Sequence, residues 1–67
     1  MNWDSLKGDW KILKGQVRQK WGKLTDDDLE QIAGQREEFL GRLQQRYGYK
    51  KDEAEQQVND WLKTVNR

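Results

Sequence analysis

Apolar side chains recur along this chain with the spacing of a helix, and no segment alternates with the two-residue period of a strand. From the start of the chain, steps of three and four residues predict one continuous helix of about five turns. Gly22 is the predicted end of this helix, with Lys20 and Lys23 near its electronegative C-terminal end. The apolar stripe of the helix consists of Trp3, Leu6, Trp10, Leu13, Val17 and Trp21.

A second helix is predicted to begin after Thr25, which precedes a run of aspartates. Threonine is a favoured N-cap, and Asp28 stands at the third helical position, where a capping box usually has Glu. Leu24 and Leu29 flank this cap and are placed to form a hydrophobic staple. The second helix is expected to be interrupted or bent near Gly34.

Two more apolar stripes predict two more helices. The third helix is expected to end at Gly48, and the fourth to begin between Lys50 and Asp52 with carboxylates at its electropositive end. The stripe of the third helix consists of Phe39, Leu40, Leu43 and Tyr47. That of the fourth consists of Ala54, Val58, Trp61, Leu62 and Val65.

The glycines indicate an internal repeat. An offset of 26 residues pairs Gly8 with Gly34, Gly15 with Gly41, and Gly22 with Gly48. We interpret this as a degenerate duplication in which each copy is a longer helix, a glycine-ended turn and an acid-capped helix. The predicted fold is therefore all-α, with four helices forming two αα-hairpins that are joined near Ala33 and Gly34.

Three of these glycines stay unexplained by the repeat. Glycine inside a helix costs ~1 kcal/mol relative to alanine. Gly22 and Gly48 are interpreted as helix stops, and Gly34 as the junction between hairpins. Two explanations stay open for the other three glycines: another backbone approaches them closely, or they serve to weaken the helix in which they lie. They are Gly8, Gly15 and Gly41.

Composition supports a folded but small protein. The chain has 67 residues, of which 37% are charged, and its mean hydropathy is −1.32. Such values approach those of disordered chains, but four tryptophans supply large apolar groups for a core. We expect one domain spanning residues 1–67, with Trp10, Trp21 and Trp61 in its core and Trp3 at a frayed start. A stacking platform for nucleic-acid bases is the alternative reading of the tryptophans.

Charge alternates along the chain. Residues 1–23 carry a net charge of +4, residues 24–38 −5, residues 39–51 +4 and residues 52–67 −2. The first helix bears a basic stripe, which we interpret as a solvated flank that meets the acidic second helix. The alternatives are weak contact with nucleic-acid phosphates or with an anionic membrane surface. This candidate interaction face consists of Lys7, Lys11, Lys14 and Arg18.

Few residues are available for enzyme chemistry. Histidine and cysteine are absent, and Ser5 is the only serine, so nucleophilic pairs and Cys/His zinc sites of the usual types are excluded. No phosphate-binding glycine loop is present. The run Asp26–Asp28 lacks the spacing of a calcium loop and is interpreted as helix capping rather than a divalent-cation site. We expect no enzymatic activity, no catalytic residue, no cofactor and no small-molecule substrate.

The ends and hydropathy of the chain bear on its location. The segment Met1–Asp4 has neither the basic nor the apolar region of a secretory signal. No apolar run approaches the ~18 residues that span a bilayer. We therefore expect a cytoplasmic protein without a transmembrane segment, and a monomer whose partners the sequence does not identify.

Several segments together resemble the CsbD-like (YjbJ-like) family of small bacterial proteins. They are KGDWKILKGQVRQKWGKLTDDDL and GQREEFLGRLQQRYGYKKDEAEQQVNDW, which occur in the order and at the spacing of that family. Trp3 stands where a polar residue is common in the family. Lys50 stands where many members have a Ser or Thr cap, so the last helix is expected to fray more at its start.

The resemblance implies both a fold and a role. The fold would be four helices in two near-orthogonal hairpins, similar to SAM-domain-like folds. The role would be that of a general stress-response protein without enzymatic activity or cofactor. The charged composition suggests a hydrophilin-like protectant, and the alternative is a nucleic-acid or protein-binding module that uses the basic face of the first helix.

Overall fold

The computed structural model describes residues 3–65, and the regular secondary structure in that range is entirely helical. The described residues form five helices, four of them with at least seven residues. This confirms the all-α prediction but corrects the number of helices. They are α1 (Trp3–Gly8), α2 (Trp10–Lys20), α3 (Asp26–Ile32), α4 (Arg36–Tyr47) and α5 (Lys51–Val65).

The predicted continuous first helix is wrong, because the chain breaks at Asp9 between α1 and α2. Asp9 has φ −102° and ψ 18°, and its side chain makes no capping hydrogen bond. Its backbone still connects the two helices: its N–H donates to the Ser5 carbonyl at 2.9 Å, and its carbonyl accepts from Leu13 at 3.0 Å. Gly8 and Asp9 are adjacent weak helix formers, so a break there costs little.

The two glycines predicted to end helices, Gly22 and Gly48, behave differently. Gly48 ends α4 in the left-handed conformation at φ 72°, as predicted. At the other site α2 ends at Lys20, and Gly22 is not left-handed, so the prediction of a Gly22 stop is wrong. Trp21 itself leaves the helix at φ −120° and ψ 78°. Its side chain is buried, so core packing rather than glycine fixes the end of α2.

The turn between α3 and α4 is where Gly34 lies. Ala33 and Gly34 both have positive φ, 47° and 79°, which reverses the chain in the predicted place. A Cβ atom at Gly34 would lie 2.6 Å from the Cα of Lys7 and 3.2 Å from the carbonyl oxygen of Leu6. The backbone of α1 therefore rests on this glycine, and the break at Asp9 frees α1 to take that direction.

The core is apolar and aromatic at its centre. Phe39 is fully buried, and ring centroids of four tryptophans lie 5.4 to 6.4 Å from its own, all edge to face. The predicted core positions Trp10, Trp21 and Trp61 are confirmed as buried, while Trp3 is half-buried. Edge-to-face pairs of this kind add to the stabilisation from burial.

The same core gathers the apolar stripes of all five helices. Within the described residues it comprises Leu6, Trp10, Leu13, Val17, Trp21, Leu24, Leu29, Ile32, Phe39, Leu40, Leu43, Ala54, Val58, Trp61 and Leu62. The helix α4 packs against both α3 and α5, and α1 packs against α2. The grouping into two hairpins and the internal duplication stay predictions.

Candidate functional site

The predicted basic face lies on two helices rather than one. Lys7 belongs to α1, whereas the other three residues belong to α2 beyond the break. Lys14 forms an ion pair with Glu30 at 3.1 Å, and Arg18 forms one with Asp26. These two contacts agree with the interpretation of a basic flank that meets the acidic helix.

Lys7 and Lys11 differ from the other two members of the basic face. Both side chains are exposed, and neither forms an ion pair with another residue of the range 3–65. The basic face is therefore divided. Half of its charge is compensated by α3, and half is presented to solvent.

An open groove of about 390 Å³ separates α2 from α3. Gly15 and Leu29 contribute to its lining, and the two ion pairs, Lys14 with Glu30 and Arg18 with Asp26, line it as well. Because its cations are matched by carboxylates, an anionic ligand would have to displace these carboxylates from their partners. The groove is therefore a poor cradle for phosphate.

A buried hydrogen bond fixes α2 to α3. The indole Nε1 of Trp10 donates to the carbonyl oxygen of Leu29 at 2.9 Å, and that carbonyl also accepts the N–H of Ala33 at 3.1 Å. Trp10 is 8% exposed. An indole held in this way is not free to stack on a nucleic-acid base, which counts against the alternative reading of the tryptophans.

Asp28 is the one buried charged side chain among residues 3–65. It completes the predicted capping box: the Thr25 hydroxyl accepts from the Asp28 N–H at 3.1 Å, and the Asp28 carboxylate accepts from the Thr25 N–H at 3.0 Å. The capping interpretation of the aspartate run is thus confirmed at Asp28. Within the described range, no three acidic side chains are grouped in a way that could hold a metal ion.

The same carboxylate also binds two arginines of α4. Arg46 donates to it from Nε at 2.8 Å and from Nη2 at 3.1 Å, and Arg42 donates from Nη1 at 3.3 Å. The hydrogen bond from Arg46, helped by those from Thr25, lowers the pKa of Asp28 from 3.8 to about 2 against the opposing effect of burial. The same bond raises the pKa of Arg46. We call these three residues the Asp28 centre.

The arginine partners of Asp28 were missed from the sequence. Arg42 and Arg46 are spaced four residues apart, so they share one side of α4. That spacing is the one signal the sequence offers. It does not identify a partner 14 and 18 residues away on another helix.

A third polar contact joins the loop that follows α2 to the last residue of α4. The N–H of Lys23 donates to the hydroxyl of Tyr47 at 3.2 Å, and its Nζ lies 5.1 Å from the centroid of the Tyr47 ring. Tyr47 in turn stacks on Tyr49 at 5.3 Å with an interplanar angle of 7°. These contacts hold the segment after α2 against the end of α4.

Comparison with known proteins gives a family and close relatives. A family model described as CsbD-like matches residues 4–56. The UPF0337 protein YjbJ of Escherichia coli K12 is 54% identical over 61 residues, covering 91% of this chain and 88% of that protein. The UPF0337 protein pc0632 of Protochlamydia amoebophila is 56% identical over 61 residues, covering 91% of this chain and 92% of that protein. No helix within residues 3–65 has the length and apolarity needed to cross a membrane.

Proposed function

Since the chain belongs to the CsbD-like family, we propose that it is a non-enzymatic protein of the bacterial stress response that acts as a hydrophilin-like protectant. The observation that carries this proposal is the division of the molecule into a closed aromatic core and a charged exterior. Trp10, Trp21 and Trp61 are at most 8% exposed. The surface is therefore dominated by hydrated charged side chains. Such a surface suits a protein that keeps the surfaces of other molecules hydrated.

The ionisable groups support a role without catalysis. General acid–base catalysis works best when the pKa of the catalytic group lies near the operating pH. The pKa of Asp28 is lowered to about 2 and that of Arg46 is raised, so both move away from neutrality. Asp28 and Arg46 form an ion pair with each other, and we assign this pair a structural role.

A protection assay tests this function. A labile enzyme is dried or heated with this protein, with an inert globular protein of equal mass, or with a charge-poor variant of this protein. The variant exchanges four exposed charges and keeps the net charge: Asp4→Asn, Lys20→Gln, Asp27→Asn and Lys63→Gln. We expect the wild type to preserve the most enzyme activity. Equal protection by the inert protein contradicts the proposal.

A second candidate function is a nucleic-acid or protein-binding module on the basic face. Lys7 and Lys11 favour it, because they are exposed and lack an ion pair with any described residue. Titration with duplex and single-stranded DNA at low salt, followed by NMR shifts, tests it. Shifts confined to α1 and the start of α2, and lost in a Lys7→Gln, Lys11→Gln variant, support it. Absent shifts, or shifts spread over α3, contradict it, and co-sedimentation with anionic vesicles indicates a membrane surface instead.

We also propose the finer fold, two near-orthogonal αα-hairpins related by an offset of 26, in a protein of the cytoplasm. The two ion pairs between α2 and α3 support the first hairpin. Lys14 precedes Arg18 on α2, and their partners Glu30 and Asp26 follow the reverse order on α3. Reversed order is what two antiparallel helices produce.

A further inference from the structure

One large apolar side chain stands out on the surface. Within the described residues, Ile12 is the exposed large hydrophobic residue, with 74% of its surface open to solvent. It lies on the outer side of α2, away from the buried residues Leu13 and Val17. Nothing in the core, the cap or the ion pairs accounts for an isoleucine at this position.

The outer side of α4 carries a depression. An open groove of about 310 Å³ is lined by Glu37, Glu38, Gly41, Arg42 and Gln45. Gly41 is one of the lining residues, and a Cβ atom at this residue would meet nothing within 4 Å. Glycine at this position therefore leaves room for a side chain from outside the molecule.

The two surfaces differ in charge: α2 has basic but no acidic residues, although exposed Asp9 precedes it, whereas two carboxylates and the guanidinium of Arg42 line the groove. Lys11 stands beside Ile12, is exposed and has no ion pair with a described residue. The side chains of Glu37 and Glu38 beside the groove are 77% and 52% exposed. Glu37 forms an ion pair with Arg36 at 3.2 Å, and Glu38 forms one with Arg42 at 3.9 Å. Exposed pairs of this kind contribute little, so both carboxylates stay available to another cation.

We propose that the protein associates head to tail with a second copy of itself, the Ile12 side chain of one copy entering the groove over Gly41 of the next. Lys11 then faces Glu37 and Glu38 across the contact. The Ile12 side chain, which we call the knob, and the groove belong to different helices, so the contact is heterologous. Each added copy therefore leaves a free groove at one end of the assembly and a free knob at the other.

A symmetric contact is disfavoured by charge. Packing α2 on α2 would bring Lys11 of both copies together, and packing α4 on α4 would do the same with Glu37 and Glu38. Like charges across an interface are repulsive, whereas the contact of α2 with α4 is complementary. One helix face on each side buries little surface, so the association is weak and depends on concentration. The expected monomer is then the dilute form, and neither proposed function is required for this association.

Two single variants and their mixture test the proposal. Ile12→Gln removes the knob, and Gly41→Gln fills the groove without meeting another atom within 4 Å of its Cβ. Sedimentation velocity and light scattering are measured from micromolar to millimolar protein. We expect the mass of the wild type to rise with concentration and each single variant to stay monomeric. An equimolar mixture of the two variants forms a dimer and nothing larger, because only one intact knob and one intact groove remain.

Controls separate this contact from unspecific association. Gly22→Gln is the matched glycine control, since its Cβ also meets nothing within 4 Å, and it should associate like the wild type. Lys11→Glu should weaken association, and adding Glu37→Lys and Glu38→Lys in the same chain should restore it. A wild type that stays monomeric at millimolar concentration, an Ile12→Gln variant that associates normally, or a monomeric mixture overturns the proposal.

Discussion

Gly34 and Gly15 belong to two sets of glycines with the same seven-residue spacing, yet their surroundings are opposite. Gly34 has positive φ, and the backbone of α1 lies against it closely enough that a Cβ would fall 2.6 Å from the Lys7 Cα. Gly15 lies in a helix, and a Cβ there would meet nothing within 4 Å. One glycine is required by contact and conformation, and the other only weakens a helix.

The ion pairs also divide into a buried and an exposed set. In the first turn of α3, Asp28 joins α3 to the C-terminal half of α4 with its side chain 2% exposed. Beside Gly15, the side chains of Arg18 and Asp26 are 55% and 79% exposed. Burial, rather than residue type, therefore decides which contacts the fold depends on.

Gly34→Ala should produce the largest loss. An L-residue in the left-handed region costs ~1–2 kcal/mol, and overpacking against α1 adds about 1–3 kcal/mol. The free energy of unfolding, measured by urea titration, should fall by about 2–5 kcal/mol. A loss of no more than about 1–2 kcal/mol, the conformational cost alone, would show that α1 moves aside freely.

Asp28→Ala should produce the next largest loss. It removes one half of the capping box and leaves Arg42 and Arg46 without their carboxylate. We expect the free energy of unfolding to fall by about 2–3 kcal/mol, less than for a fully buried pair because water reaches both arginines. Asp26→Asn is the matched control, because Asp26 is exposed in the same first turn of α3. This substitution should change the free energy of unfolding by under about 0.5 kcal/mol.

Acid should weaken the same centre. The pKa of Asp28 is lowered from 3.8 to about 2 in the folded protein. A lowered pKa contributes stability that is present above the unfolded value and is lost as pH falls through the folded one. The wild type should therefore lose up to about 2 kcal/mol as the pH drops from about 4 to about 2. An Asp28→Asn variant should lose correspondingly less over the same range. Equal losses would contradict the assignment.

Gly15→Ala should act in the opposite direction. Space is open at this position, so the better helix former should raise the free energy of unfolding by about 0.5–1 kcal/mol. Gly41→Ala should do the same, for the same reason. A loss at either position would mean that another group packs there. The structure thus favours the weakened-helix explanation over close approach of a second backbone.

The exposed ion pairs should produce the smallest effects. Lys14→Gln and Arg18→Gln should each change the free energy of unfolding by under about 0.5 kcal/mol. Double-mutant cycles with Glu30→Gln and Asp26→Asn measure the two pairings directly. A coupling above about 1 kcal/mol in either cycle would contradict the division between buried and exposed pairs.

Local features of the fold could be predicted from the sequence. The apolar stripes identified the buried residues, the Thr25 cap identified the start of α3, and Gly48 identified the end of α4. Each of these depends on residues within a few positions of one another. The break at Asp9 was missed because the apolar stripe continues through it in register.

Contacts between distant segments could not be predicted. The close approach of Lys7 to Gly34 and the pairing of Arg46 with Asp28 depend on how helices lie in space. Close approach of a backbone was one of the two explanations left open for Gly8, Gly15 and Gly41, whereas it occurs at Gly34. Identical spacing therefore did not distinguish a glycine that is needed from one that is tolerated. Similarly, the basic stripe did not reveal that α3 compensates only Lys14 and Arg18.

The most direct test of this contrast is one urea titration series that compares Gly34→Ala and Gly15→Ala with the wild type. We predict changes of opposite sign, a loss of about 2–5 kcal/mol at Gly34 and a gain of about 0.5–1 kcal/mol at Gly15. Changes of the same sign at both positions would contradict the claim that surroundings, and not spacing, determine what each glycine does.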